Sequence, residues 1–181
     1  MRHGRGEDRG GESEDRRLMP ERDVPRWLST TCLVVASAAL AVSLYLTIEH
    51  FASPGGEGLA CPATAAINCV KVTTSPQSKF LGIPVALLGL VFYIGVLVLN
   101  LPAMWRSESL WLRWIRLAAV SSGMGFVLWL VYAELYIVRS ICLWCTAVHI
   151  LTFILFVLTL YATLGVAGED DYEDEEEEEL G

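Results

Sequence analysis

Four apolar stretches, each close to the roughly 20 residues needed to cross hydrocarbon as a helix, limit what this chain can fold into. They run from about Leu28 to Glu49, Gly82 to Asn100, Trp114 to Tyr136 and Leu143 to Val166. An α-helix closes its backbone hydrogen bonds within itself, so a stretch of this kind in lipid is expected to be helical. Hydrophobic residues make up 54% of the chain and charged residues 19%, against about a quarter charged in soluble domains. The charge is also pushed to the ends. Residues 1–26 hold seven Arg and seven acidic residues, and residues 169–179 hold ten acidic residues. An ordinary soluble domain and a disordered chain are both excluded. The expected fold is an all-α integral membrane protein, a four-transmembrane-helix bundle with a long outer loop between helices 1 and 2. A disordered cytosolic arm over 1–26 and an acidic, disordered cytosolic tail over 168–181 are expected to flank a membrane domain over 27–167.

The first stretch is longer than the roughly 7–15 apolar residues of a cleaved signal peptide, and it reads as a retained signal anchor. Orientation follows from the Lys and Arg of the short loops. One side carries seven Arg before Trp27 plus Arg106, Arg113 and Arg116, and the other carries Lys71, Lys79 and Arg139. Both termini are therefore expected in the cytosol, with loop 50–81 and turn 137–142 on the outer face. Trp and Tyr near the span ends read as interfacial belts. Glu134, near the outer end of the third span, is expected to reach headgroup water or to pair with Arg139. The net charge of −8 comes from the acidic tail, and there is no clustered basic face of the kind that binds nucleic acid.

Of five cysteines, Cys32 lies within the first span as a small apolar filler. The other four fall on the outer side as Cys61-x7-Cys69 and Cys142-x-x-Cys145. An oxidising face favours disulfides over free thiolates. Three uses are open: two structural disulfides, a four-cysteine zinc site, or a redox relay. C-x-x-C closes too short a loop to stabilise much, and its spacing is that of exchanging dithiols. C-x7-C is not the usual zinc ligand spacing. On a helix Cys142, Cys145 and His149 share one face, and a helix N-terminus stabilises a thiolate. Sulfurs at the membrane edge are within reach of a lipid-soluble oxidant, while a polar loop pair reaches soluble proteins.

The run Cys61-Pro62, Asn68-Cys69-Val70-Lys71-Val72, Ser75 and Phe80-Leu81-Gly82-Ile83-Pro84, followed at the last helix by Cys142-Leu143-Trp144-Cys145, resembles the vitamin K epoxide reductase family over about residues 27–166. The quinone-linked disulfide-bond B family of bacteria is also four-helical, but there C-x-x-C comes first and the widely spaced pair second. The order here favours the former. The resemblance implies a bundle around a quinone site. It implies Cys142 and Cys145 as the catalytic pair, with Cys145 facing the quinone. Cys61 and Cys69 then act as an electron shuttle, with Cys142 exchanging with Cys69 and Cys61 meeting the partner.

Ser75 stands at the family's serine position and, with Pro76 behind it, also reads as a helix N-cap. His149 stands where some members carry Tyr, and reads either as a quinone contact or as a satisfied core imidazole. No metal is implied. Many bacterial members carry a fused thioredoxin-like domain. Its place is taken here by the acidic tail, which implies a separate extracytoplasmic thioredoxin-like partner. Arg outnumbers Lys 11 to 2, pointing to a GC-rich bacterium, and for such a bacterium the family resemblance implies the plasma membrane and menaquinone. The expected function is quinone-linked thiol oxidation that drives disulfide formation in exported proteins. Reduction of quinone or quinone epoxide as the main role, and a non-catalytic scaffold with structural disulfides, are the alternatives.

Overall fold

The computed structural model describes residues 26–53, 55, 58–62, 64, 66–105 and 110–180, with the backbone alone at 110 and 165–180. The arm expected over 1–26 lies, up to residue 25, outside the described residues. Helix α1 spans Arg26–Ala52. The outer loop that follows contains the short helix α2, Cys69–Thr73, and a 3₁₀ turn, Pro76–Ser78. A two-stranded antiparallel hairpin comes next, β1 Lys79–Phe80 against β2 Ile83–Pro84. Helix α3 spans Val85–Leu99, α4 Pro102–Trp105 and α5 Leu110–Tyr132. A π-helical segment, Ala133–Val138, extends α5, and α6 runs Leu143–Leu180.

Three segments are long and apolar enough to cross a membrane: Arg26–Ala52, Trp111–Val138 and Leu143–Leu164. The second expected span is shorter than the apolar run suggests, because only the 15 residues Val85–Leu99 are helical. Leu81 and Gly82 both take left-handed backbone angles, φ 53° and 83°. Two such residues make the tight turn that matches strand twist, so Gly82 and Ile83 belong to the hairpin. Pro84 caps α3. At the other end of the chain, the α6 backbone continues to Leu180, through the acidic run for which a disordered tail over 168–181 is expected. Glu is a good helix former and extends a helix already nucleated.

Helix α1 packs on α3 and α6, and α5 packs on α6 and α3, so the four long helices form a closed ring. The core along α1 is a stripe of Leu28, Cys32, Ala36 and Ala39 against Tyr93, Val96, Val120 and Leu155. Small side chains let helix backbones approach, which is how helices associate where lipid removes the hydrophobic drive. Cys32 is part of this packing, as expected of an apolar filler. Tyr93 on α3 shares a hydrogen bond across the ring with Thr152 on α6.

Arg116 does more than mark topology. It is buried on α5 and donates to the carbonyl of Leu99, at 3.1 Å from Nε and 2.9 Å from an Nη. Its guanidinium also lies 3.8 Å over the Trp105 ring. It satisfies the orphan carbonyl at the C-terminus of α3 and fixes the α3–α5 connection. Arg116→Met is expected to destabilise the detergent-solubilised protein by about 2–3 kcal/mol, read as a lowered thermal midpoint. Trp111→Ala, at an exposed position, is expected to change it by less than about 0.5 kcal/mol. Equal midpoints for the two variants would remove Arg116 from this role.

Candidate active site

The two cysteine pairs meet at the end of the ring where α1 and α5 finish and α3 and α6 begin. Backbone pairing brings them together. Ile67 and Ile141 form a parallel bridge, with Asn68 N–H donating to Ile141 O at 3.1 Å and Ile141 N–H to Ala66 O at 2.9 Å. Cys69 follows Ile67 by two residues and Cys142 follows Ile141 directly. Asn68 caps α2 by accepting from Lys71 N–H at 2.9 Å, which orients Cys69 as the first residue of that helix. Cys69 and Cys142 are then 1% and 0% exposed, packed with Val72 and Val138 in a small apolar cluster. Cys61 and Cys69 form a disulfide with Cα atoms 6.1 Å apart. Cys142 and Cys145 are free thiols.

Cys142 is not a residue of the helix face, as the i, i+3 spacing suggests, but its cap. Helix α6 begins at Leu143, and the Cys142 carbonyl accepts from Thr146 N–H at 2.8 Å. The Cys142 sulfur accepts from Cys145 N–H at 3.3 Å, the bond that a side-chain oxygen makes at an ordinary N-cap. The Cys145 thiol and then this N–H hold the Cys142 thiol below its ordinary range, against burial and the charge of Glu134. Cys145 and His149, four residues apart, do share a face.

That face lines a cavity of about 390 Å³ enclosed by α1, α3, α5 and α6. Cys145, His149 and Ser75 all line it, whereas Cys61, Cys69 and Cys142 do not. Its walls are largely apolar, with Leu46, Leu88, Phe92, Phe126 and Leu130 among them. Ser75 precedes the 3₁₀ turn with Pro76 at its first position but makes no side-chain cap bond. Its hydroxyl donates to Val72 O at 2.7 Å, leaving only acceptor capacity toward the cavity. His149 is buried and makes no side-chain hydrogen bond among the described residues, so its ring is available to whatever fills the cavity. Glu134 corrects the expectation of an exposed carboxylate. It is 7% exposed, lines the cavity and forms no ion pair with Arg139, which is itself exposed. The π-helical segment turns its side chain inward.

A protein-family model for the vitamin K epoxide reductase family matches residues 30–160. The chain belongs to that family. Its members are quinone-linked disulfide oxidoreductases, so this protein is an oxidoreductase with a disulfide-forming cysteine pair and membrane-crossing helices. The family's quinone fits the residues present. The cavity has the size of a small-molecule site, its walls are apolar, and a few polar groups converge beside one thiol. Among the described residues, no three His, Cys, Asp or Glu side chains cluster as metal ligands would.

Sequence reasoning missed a clamp on the shuttle loop of this family member. Trp144, inside the C-x-x-C, donates from Nε1 to Ala60 O at 3.1 Å. Tyr45 on α1 accepts from Ala60 N–H at 3.3 Å, and the two rings lie 4.9 Å apart. Both polar groups of the residue before Cys61 are thus held by aromatic side chains. These rings looked like interfacial belt residues because Trp and Tyr at a span end are the ordinary belt signal.

With the loop pair replaced by serine, thiolate absorbance of the reduced protein is expected to give Cys142 a midpoint below the ordinary ~8.5 of a free cysteine. The Cys145→Ala variant removes the main donor and is expected to move that midpoint up. A midpoint unmoved by this variant would mean that the Cys145 thiol does not stabilise the Cys142 thiolate.

Proposed function

We propose that this protein oxidises a separate thioredoxin-like partner on the outer face of a bacterial plasma membrane and passes the electrons to quinone, driving disulfide formation in exported proteins. The observation that carries this reading is the division of labour within the C-x-x-C: Cys145 lines the cavity, while Cys142 is buried beside Cys69. Partner thiolate attacks Cys61, the partly exposed member of the loop disulfide, and leaves oxidised after a mixed disulfide. The freed Cys69 attacks Cys142 of an oxidised Cys142–Cys145 pair. Cys61 then attacks Cys69, restoring the loop disulfide and leaving Cys142 and Cys145 reduced. Quinone held in the cavity takes up the two electrons and two protons of that pair. The apolar walls exclude water from the Cys145 thiol. The His149 ring supplies a hydrogen-bond donor on the same helix face, and Ser75 shapes the opposite wall. Menaquinone is the quinone favoured by family membership taken with the Arg-rich, GC-rich-bacterial composition.

The positive-inside count supports an orientation with both termini cytosolic, α3 as the second crossing and all four outer cysteines at the external end. A membrane-impermeant thiol reagent, applied to intact cells after reduction, is expected to label Cys61 and to spare a cysteine introduced at Ser107. Labelling at Ser107 would reverse the orientation and overturn the assignment of the partner to the outer face.

Two variants test the electron path. Cys145→Ala is expected to abolish quinol formation in detergent while preserving exchange of the loop pair with a small dithiol. Wild-type rates would refute the path, and a non-catalytic scaffold would make no quinol in either form. Cys61→Ala combined with Cys145→Ala is expected to trap a Cys69–Cys142 disulfide, visible by non-reducing peptide mapping. Free Cys69 in that variant would instead favour independent pairs. His149→Ala is expected to weaken quinone binding by about 1–2 kcal/mol, read as a raised Michaelis constant.

A further inference from the structure

We infer that Glu134 carries the proton of Cys142 to the cavity when Cys142 and Cys145 close into a disulfide. The inference rests on the quinone reading above and adds a residue to it. Closing a disulfide from two thiols releases two electrons and two protons. Cys145 is on the cavity wall, so its proton leaves next to the acceptor. Cys142 is 0% exposed and sits in an apolar cluster off the wall. A proton released there has no water to enter, and an isolated charge in such a place is strongly disfavoured.

Glu134 spans the gap. It lines the cavity, Val138 on the same π-helical segment packs with Cys142, and the Glu134 charge acts on both sulfurs. It is 7% exposed and forms no ion pair among the described residues, so no cation fixes it as a carboxylate. The backbone is arranged around it. The π-helical segment begins at Ala133, and the Glu134 carbonyl accepts from Arg139 N–H and from Ser140 N–H at 3.1 Å. Arg139 takes φ 54°, a left-handed angle unusual for a side chain with a Cβ. Single π turns inside α-helices often mark functional positions. This one carries a buried carboxyl on the cavity wall, on the segment whose Val138 packs with Cys142.

The step balances. The S–H bond of Cys142 breaks and an O–H bond forms on Glu134. The Cys142 sulfur bonds to that of Cys145 as two electrons pass to the quinone. The Glu134 O–H breaks as one quinone oxygen is protonated, and the Cys145 proton goes to the other. Glu134 ends in the protonation state in which it began. The other titratable groups facing the cavity are His149 on α6, Tyr93 on α3, and Glu49 and His50 at the end of α1.

The test uses the full chain in detergent, with two readouts. In reduced, quinone-free protein, Glu134→Gln removes a negative neighbour, so thiolate absorbance is expected to give Cys142 a lower midpoint than wild type. In single-turnover assays with a short-chain benzoquinone, the same variant is expected to form quinol about 100-fold more slowly. Glu134→Asp is expected to recover part of that rate. A more ionised thiol with a slower reaction is a combination that a merely structural residue does not produce. Loop-pair exchange with a small dithiol is expected to stay at the wild-type rate, reporting an intact fold. A slower rate with an unmoved midpoint, or equal loss in the Gln and Asp variants, would overturn the inference. No quinol from wild type would overturn the reading of the site on which it rests, whereas equal rates from wild type and Glu134→Gln would overturn the inference alone.

Discussion

The Ile67–Ile141 backbone bridge is the interaction on which the site depends. The loop cysteines and the C-x-x-C are more than 70 residues apart in the chain. Between them run a hairpin, two long helices and a connection at the far end of the ring. No element of regular structure places Cys69 beside Cys142. Ala66 and Asn68, on either side of Ile67, hydrogen bond to the residue preceding Cys142 and set the register. Backbone hydrogen bonds suit this task because they are insensitive to side-chain identity and directional along the chain. Asn68 both donates to that bridge from its N–H and caps α2 with its side chain. One residue therefore couples the position of the loop to the orientation of Cys69.

Sequence patterning reaches far into this fold because lipid leaves few choices. The apolar runs locate the crossing segments of the first, third and fourth long helices within a few residues, and Cys32 among Ala, Val and Leu reads correctly as packing. The order of cysteine pairs, with Gly82 and Pro84 behind them, carries the family. The second helix is the instructive exception. Gly82 and Ile83 are apolar enough to look like its first turn, yet a left-handed pair at Leu81 and Gly82 spends them on a hairpin. Hydropathy has no view of backbone sign.

The polar residues were less legible, for reasons that differ. Arg116 counts toward orientation like any other Arg, and nothing in its neighbours announces the Leu99 carbonyl 17 positions earlier. Glu134 sits where a straight helix would carry it toward headgroups, and the π turn that redirects it has no sequence signal of its own. Cys142 and Cys145 have helical spacing, but the first acts as a cap, so they differ in environment more than their separation implies. For Arg116 the partner is a backbone carbonyl at the end of another helix, outside the reach of any local window. Ser75 and His149 share the cavity with Cys145, which adjacency in sequence could not have established.

The burial of the middle sulfurs has a consequence for how selective the protein is. Along the line Cys61, Cys69, Cys142, Cys145, the two terminal cysteines are partly exposed and the two central ones are sealed. A line of four sulfurs with an insulated middle behaves like a sheathed wire. In the proposed relay, small thiols dissolved outside would meet only its outer terminal, with the sealed pair between them and the cavity. On that path reducing power would enter at one gate, beside the Ala60 backbone that Tyr45 and Trp144 hold in place. Such a relay would reserve a membrane oxidant, which could otherwise consume any free thiol nearby, for the protein that fits the gate.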